Sequence, residues 1–197
     1  MPNIVIDQEI LKAIAPFMSK EATRHHIRGV YFDGAGLVVA TDGHKLAALK
    51  PTREITVVEP FALRSNTVKT LLGIKPMNKK LPVLFGIDLD AGVISAYQQQ
   101  KDLLGTIPFK PVDGAFPDWR RVIPDATNYG AASVQEFNAK VLASVESLGD
   151  SVRVYCNSTP NSPALIRAKT PLYDAVSVLM PHRMTTEEEM LPAWAGR

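Results

Sequence analysis

The chain repeats one arrangement of segments, and this repetition restricts its possible folds more than any other feature. The first two repeats have a short apolar segment, an amphipathic segment with helical spacing, and further apolar segments separated by turn residues; the third is shorter and begins with the amphipathic segment. Apolar residues that recur every three or four positions predict a helix, whereas short apolar runs between turn residues predict strands. We therefore interpret the sequence as three βαβββ modules of roughly 50–65 residues each.

The first module is predicted to begin with a strand at residues 3–6, followed by a helix. Asp7 is the expected N-cap of this helix, and Pro16 is expected to kink it or end it early. In the third module a helix is predicted at residues 133–148, with Ser133 as N-cap and Glu136 at the capping-box position. The other predicted elements are strands at 29–32, 37–40 and 46–49; then a strand at 54–58, a helix at 66–74 and strands at 83–87, 93–97 and 105–108; then strands at 152–155, 164–166 and 175–179.

Helices gathered on one face of antiparallel sheets predict an α+β fold. A single module cannot bury its helix face alone, so modules one and two are expected to share a core as one domain, residues 1–115. Residues 116–127 form a predicted rigid linker with prolines, an aromatic residue and two arginines. Residues 128–184 are then an unpaired half-domain, and residues 185–197 an acidic C-terminal tail.

Composition excludes several classes of protein. The single cysteine, Cys156, excludes an internal disulfide framework and a thiolate-rich zinc site, and it favours a cytoplasmic location. No apolar run approaches the ~20 residues of a membrane span, and no secretory signal is visible at the N-terminus. The formal net charge is +2, so a strong overall attraction to nucleic acid is not expected. No phosphate-binding loop or nucleophile motif is present, and we expect neither an enzyme nor a cofactor.

The stretch ATDGHKLA, residues 40–47, places Asp42 and His44 on either side of a glycine. This spacing permits a metal ligand pair or a proton shuttle, but metal sites usually need three or more ligands. Thr41-Asp42-Gly43 is also typical of a tight turn, in which Asp bonds locally and Gly supplies a positive φ. The turn is the preferred interpretation. The nearby pair His25-His26 is equally compatible with phosphate contacts and with a polar helix end.

Three motifs in order carry a resemblance to a known family: ATDGHKLA, then FPDWRRVIP at residues 116–124, then VSVLMPHRM at residues 176–184. Together they resemble motifs of the bacterial DNA polymerase III beta subunit, the DNA sliding clamp, whose domains are each built from two βαβββ modules. The resemblance implies a ring around duplex DNA that tethers polymerase and clamp loader through short peptide motifs, in the cytoplasm at the nucleoid. The alternative is a clamp-like decoy or inhibitor that binds such peptides or a host clamp without encircling DNA.

The resemblance also implies two sets of functional residues. A hydrophobic pocket for partner peptides would be formed by Ile27, Thr41, Gly43, His44, Lys45, Leu46, Pro117, Arg121, Val122, Val178, Met180, Pro181 and His182. Basic residues on or near the module helices would face non-specifically bound duplex DNA, namely Lys12, Lys20, Arg24, His25, Lys69, Lys75, Lys79 and Lys80.

The chain departs from the family in several places. Lys45 stands where the family has Arg, Trp119 where it has Tyr, and His182 where it has Met or Val. Length is the largest departure, because the family chain has six modules and its ring twelve. Three modules per chain predict a homo-oligomeric ring of four chains, with a dimer as the alternative. In the tail, Leu191 and Trp194 resemble the apolar anchors of a clamp-binding peptide for the chain's own pocket or a neighbour's, and an acidic tail without this role is the preferred alternative.

Overall fold

A computed structural model describes residues 4–21, 23–98, 102–124, 135–159 and 161–182. The strands are β1 (Ile4–Asp7), β2 (Gly29–Phe32), β3 (Val38–Thr41), β4 (Lys45–Pro51), β5 (Phe61–Arg64), β6 (Val83–Asp88), β7 (Val93–Gln98), β8 (Asp102–Pro108), β9 (Arg153–Tyr155), β10 (Ala164–Lys169) and β11 (Tyr173–Leu179). The α-helices are α1 (Gln8–Ile14), α2 (Ser65–Leu72) and α3 (Ala139–Ala143). Short 3-10 helices cover Ala15–Phe17, His25–Ile27, Trp119–Val122 and Ser144–Leu148.

The strands form two antiparallel sheets. One has the order β1-β6-β7-β8, and the other has the order β5-β2-β3-β4-β11-β10-β9. The first strand of module one therefore lies in the sheet of module two, and β5 of module two lies beside β2 of module one. This mutual exchange of first strands joins the two modules. The predicted α+β fold of βαβββ modules is confirmed.

The helices of modules one and two, α1 and α2, pack against each other and against the sheets. The side of the sheets that carries the helices is called the inner side, and the opposite side is called the outer side. The buried side chain of Gln8 donates from Nε2 to the carbonyl oxygens of Leu71 and Ile74, at 3.1 and 2.9 Å. These bonds satisfy a buried polar group and join α1 to the end of α2. Asp7 caps α1 as predicted, accepting from the N–H of Glu9, and α1 passes into a 3-10 turn around Pro16.

The strand predicted at residues 54–58 is wrong. Ile55 and Val57 are buried in the main core, but these residues form a loop, and the strand that pairs with β2 is β5. The alternation of buried and exposed residues resembled a strand because the loop inserts every second side chain into the core. The loop lies so close to Gly36 that a Cβ there would be 2.3 Å from the Ile55 carbonyl oxygen.

The helix predicted at residues 133–148 is shorter than expected. It begins at Ala139, where the Asn138 side chain caps it by accepting from the N–H of Lys140 at 2.9 Å. Ser133 lies outside the described residues, and Glu136 is not helical. The carbonyl oxygen of Glu136 instead accepts the N–H of His182 at 2.7 Å, so this stretch holds the residues that follow β11.

The third module is attached to the first by strand pairing as well as by the linker. β11 pairs with β4 along its whole length, from Tyr173 opposite Pro51 to Leu179 opposite Lys45. The buried Ser177 hydroxyl donates to the Leu46 carbonyl oxygen at 2.7 Å, and Ser147 Oγ donates to the Ala13 carbonyl oxygen at 2.8 Å. Among the described residues, no helix is long and apolar enough to cross a membrane.

Candidate functional site

The turn between β3 and β4 is held by its own polar groups. Asp42 Oδ1 accepts the N–H groups of His44 and Lys45 at 2.9 and 3.0 Å. Thr41 Oγ1 donates to the Lys45 carbonyl oxygen at 2.8 Å and accepts from Gly43 N–H at 3.1 Å. Gly43 has a φ of 90°, which glycine adopts easily. The described residues contain no group of three or more side chains suited to holding a metal ion.

Arg24 supports this turn from outside. Its Nη1 donates to the Asp42 carbonyl oxygen at 3.1 Å, and its Nε lies 2.9 Å from Glu21 Oε2. A Cβ at Gly43 would lie 2.4 Å from Arg24 Nη1, so a larger residue at this position would displace the end of the arginine side chain. The backbone carbonyl oxygen of Arg24 also accepts the N–H of Ile27. It therefore ties the buried Ile27 to the turn, a role that the sequence did not reveal.

Lys45 and Leu46 point to opposite sides of β4, as successive strand residues do. The Lys45 side chain is 11% exposed, with Nζ 3.9 Å from Asp42 Oδ2 and 5.4 Å from the Phe17 ring centroid. Burial holds the pKa of Lys45 below its usual range, with Asp42 opposing that shift and Lys20 adding to it. Because Phe17 belongs to the main core, Lys45 lies on the inner side of the sheet, away from the pocket residue Leu46.

On the outer side of the sheet, five buried residues form an outer cluster: Val39, Leu46, Ala48, Trp119 and Val178. Leu46 and Val178 are directly opposite each other on β4 and β11, so the cluster covers the joint between modules one and three. Trp119 comes from the predicted linker and is 6% exposed. We did not predict it as a pocket residue, although a tryptophan between prolines was the available signal.

The segment around Trp119 is fixed by charge and by ring stacking. Arg120 lies over the Trp119 ring, 4.3 Å from its centroid, and its Nη2 is 2.6 Å from the buried carboxylate of Asp33. Phe116 stacks on Tyr31 with centroids 4.4 Å apart and rings 3° from parallel. These contacts hold residues 116–120 against the sheet, through Phe116 at one end and Arg120 at the other.

Exposed apolar side chains lie on the segments that flank the outer cluster. Met180 follows Val178 on the same side of the chain and is 44% exposed, and Val122 of the Trp119 segment is 51% exposed. Met180 N–H donates to the His44 carbonyl oxygen at 3.0 Å, which places the end of β11 beside the turn. A surface of this kind, apolar with polar edges, suits a short amphipathic peptide.

The predicted pocket residues thus fall into three groups. The structure brings together the turn, the cross-strand pair and the end of β11, namely Thr41, Gly43, His44, Leu46, Val178, Met180, Pro181 and His182. Pro117, Arg121 and Val122 are exposed on the segment that Trp119 anchors. Ile27 is buried, with its N–H bonded to the Arg24 carbonyl oxygen, and Lys45 lies on the inner side of the sheet, away from Leu46.

The predicted DNA-facing residues are mostly exposed. Lys12 on α1 and Lys69 on α2 lie on adjacent helices, and Lys12 is paired with Glu9 at 2.6 Å. Lys20 is exposed in the loop after α1, and the loop after α2 carries Lys75, Lys79 and Lys80. The buried Gln98 anchors that loop through Asn78 and Leu81. His25 begins a 3-10 helix, and Arg24 is engaged with Asp42 and Glu21.

No family model and no curated protein sequence matches the chain. Solved structures do match. The DNA polymerase III subunit beta sliding clamp from Bartonella birtlesii gives a TM-score of 0.68 at 19% identity, covering 92% of this chain and 66% of that chain. The Thermotoga maritima beta subunit gives 0.65 at 16%, covering 94% and 67%. The Helicobacter pylori beta clamp bound to a DNA ligase peptide gives 0.65 at 16%, covering 92% and 66%.

These matches confirm the fold that the three motifs implied. The chain has the fold of the DNA polymerase III beta subunit in a shortened version, spanning about two thirds of those structures. At sequence identities of 16–19%, the similarity to these structures is a similarity of fold.

Proposed function

We propose that the chain is a DNA sliding clamp, a processivity factor that encircles duplex DNA and tethers polymerase and clamp loader. It would catalyse no reaction itself and would act in the cytoplasm at the nucleoid. The observation that carries this proposal is the seven-stranded sheet that continues from module one into module three through β4 and β11. A sheet that runs on between modules, with the helices on its inner side, is suited to the wall of a ring.

The inner side would face DNA. Lys12 and Lys69 project from adjacent helices, and Lys79 and Lys80 lie on the loop held by Gln98. Lysines in such positions attract phosphate diffusely and without reading base sequence, which permits sliding. Topological linkage requires little affinity at any one site, in keeping with a net charge of +2.

The outer cluster and its flanking residues would hold the partners. The Helicobacter pylori beta clamp is bound to a DNA ligase peptide, and this chain shares its fold. Here Met180 and Val122 supply exposed apolar contacts next to a surface already fixed by Trp119. A site whose side chains are held before binding loses less entropy when a peptide is bound.

Closure of the ring requires more than one chain. If the ring has the twelve modules of the family, four copies of this three-module chain would complete it. We propose a homo-tetramer, with a dimer as the smaller alternative.

A topological assay tests the function. The chain is cross-linked in the presence of nicked circular DNA, washed at high salt, and then treated with a restriction enzyme that cuts the circle. Retention on the circle and release from the cut DNA are expected for a ring. Separate binding of a DNA ligase peptide, weakened by Met180→Glu at an exposed position beside the outer cluster, is expected for the pocket. Peptide binding without retention on circles would favour the decoy function, and absence of both would refute the proposal.

A further inference from the structure

A basic hollow lies on the outer side of the third module, next to the outer cluster. Leu165 of β10 packs against the outer cluster, whereas Ile166 and Ala168 belong to the main core. Because side chains alternate along a strand, Arg167 and Lys169 lie on the same side of the sheet as Leu165. These two cations line a hollow of about 570 Å³. The outer side of β10 therefore changes from apolar to basic along its length.

The neighbouring strands contribute to the same hollow. On β9, Arg153 is directly opposite Arg167, and it lines the hollow together with Tyr155. On β11, Asp174 is directly opposite Lys169. Directly opposite residues of an antiparallel pair lie on the same face of a sheet. Three strands thus bring three basic side chains and one acidic side chain together on the outer side.

The hollow has an excess of positive charge. Arg167 Nη2 lies 2.8 Å from Asp174 Oδ1, so these two charges neutralise each other. Arg153 and Lys169 are exposed, and neither forms an ion pair with another residue that the structure describes. Two cations therefore remain for an acidic group that binds in the hollow.

The hollow continues the surface proposed for partner peptides. Leu165 is directly opposite Val178, a member of the outer cluster. Arg167 and Lys169 follow Leu165 by two and four residues on the same strand, so they lie about 7 and 14 Å from it. A peptide whose apolar side chains contact the outer cluster would reach the hollow with residues about two to four positions further along its chain.

We propose that the partner peptides preferred by this chain carry acidic residues about two to four positions from their apolar anchors, and that Arg153 and Lys169 bind those acids. This inference rests on the proposed function, because it concerns the specificity of the same peptide surface. The apolar row of Leu165 and Val178 beside the cations suits a peptide better than a phosphate backbone, and Asp174 opposes a continuous row of phosphates.

The test uses the DNA ligase peptide with three glutamates or three glutamines added at one end, and each end is extended in separate peptides. Binding is measured by fluorescence titration of the full chain. At one of the two ends, the glutamate peptide should bind about 5-fold more tightly than the glutamine peptide at low salt. The difference should shrink at high salt, because exposed charges are screened.

Charge reversal identifies the residues responsible. Arg153→Glu with Lys169→Glu should reverse the preference, so that a peptide with three added lysines binds more tightly than the glutamate peptide. A general loss of packing would not produce such an exchange. Lys69→Glu with Lys79→Glu, on α2 and the loop after it, is the matched control, because it changes the net charge by the same amount and should keep the wild-type preference.

Equal affinities for the glutamate and glutamine peptides at both ends would overturn the inference, as would a glutamate preference that survives the reversal of Arg153 and Lys169. Binding of a single-stranded thymidine oligonucleotide that the reversal abolishes, with equal peptide affinities, would assign the hollow to DNA and overturn it. A glutamate preference that appears only after deletion of residues 185–197 would assign the hollow to the acidic tail and also overturn it. Failure of the proposed function looks different, because the glutamate peptide would still be preferred while the chain would not be retained on circular DNA.

Discussion

Replacing Asp42 by asparagine separates the geometry of the β3–β4 turn from its charge. Asp42 Oδ1 accepts the N–H groups of His44 and Lys45, and the side-chain oxygen of asparagine can accept both. Asp42 Oδ2 lies 3.9 Å from Lys45 Nζ, whose side chain is 11% exposed. The variant therefore keeps the turn closed but removes the counter-charge of a largely buried lysine side chain.

The expected magnitudes follow from these contacts. A partly buried ion pair near 4 Å contributes about 1 kcal/mol after solvent screening, so Asp42→Asn should lower the free energy of unfolding by about that amount at neutral pH. Asp42→Ala also removes two hydrogen bonds of about 1 kcal/mol each, giving a loss of about 3 kcal/mol. The difference between the variants measures the hydrogen bonds.

The pH dependence supplies a second signature. Burial already holds the pKa of Lys45 below its usual range, and loss of Asp42 should lower it further. Between a lowered folded-state pKa and the usual lysine value, the unfolded chain binds more protons, so stability rises with pH. The destabilisation by Asp42→Asn should therefore shrink as the pH rises through that interval, because neutral Lys45 needs no counter-charge.

Urea unfolding of the wild type and both variants, from neutral to alkaline pH, measures these effects. Asp90→Asn, at an exposed turn between β6 and β7, is the matched control for loss of a surface acid. Equal losses for Asp42→Asn and Asp42→Ala would refute the assignment of hydrogen bonds. A loss that does not change with pH would refute the coupling to Lys45.

Three further predictions concern other parts of the molecule. Lys69→Glu with Lys79→Glu should lower retention on circular DNA and reduce its salt dependence, while peptide binding stays unchanged; intact retention would remove these lysines from the DNA-facing set. Trp119→Ala should lower the free energy of unfolding by about 3–5 kcal/mol by thermal or urea melts, whereas Arg121→Ala, on an exposed side chain of the same segment, should have little effect. Equal stabilities of these two variants would contradict the burial of Trp119. Deletion of residues 185–197 should raise the affinity for added DNA ligase peptide in fluorescence titrations if Leu191 and Trp194 compete for the outer cluster, and unchanged affinity would reject that role of the tail.

Local signals in the sequence predicted the elements that depend on local bonding. Asp7 caps α1, Pro16 marks its end, and the Asp42-Gly43 turn closes through bonds between near neighbours. The motifs that resemble the sliding clamp then predicted the family fold. Hydrophobic pattern alone failed at Ile55 and Val57, because a loop that inserts alternate side chains into a core has the same period as a strand.

Features that depend on distant pairing could not be predicted from the sequence. The exchange of β1 and β5 joins residues far apart in the chain, and no local pattern distinguishes an exchanged strand from one that stays in its own module. The same limit applied to the candidate site. Trp119 belongs to the outer cluster with Leu46 and Val178, and Lys45 lies on the opposite side of β4 from Leu46 because side chains alternate along a strand.

The pairing of β4 with β11 has a consequence for synthesis of the chain. β4 ends at Pro51, but its partner begins at Tyr173, so every strand of modules one and two leaves the ribosome before the pair can form. Contacts this distant in sequence form slowly, since a long loop must first close. Until then β4 presents an open edge, a template on which the nascent chains of a polysome can pair wrongly. Chaperone dependence during translation should therefore be greatest between the completion of β8 and the emergence of β11.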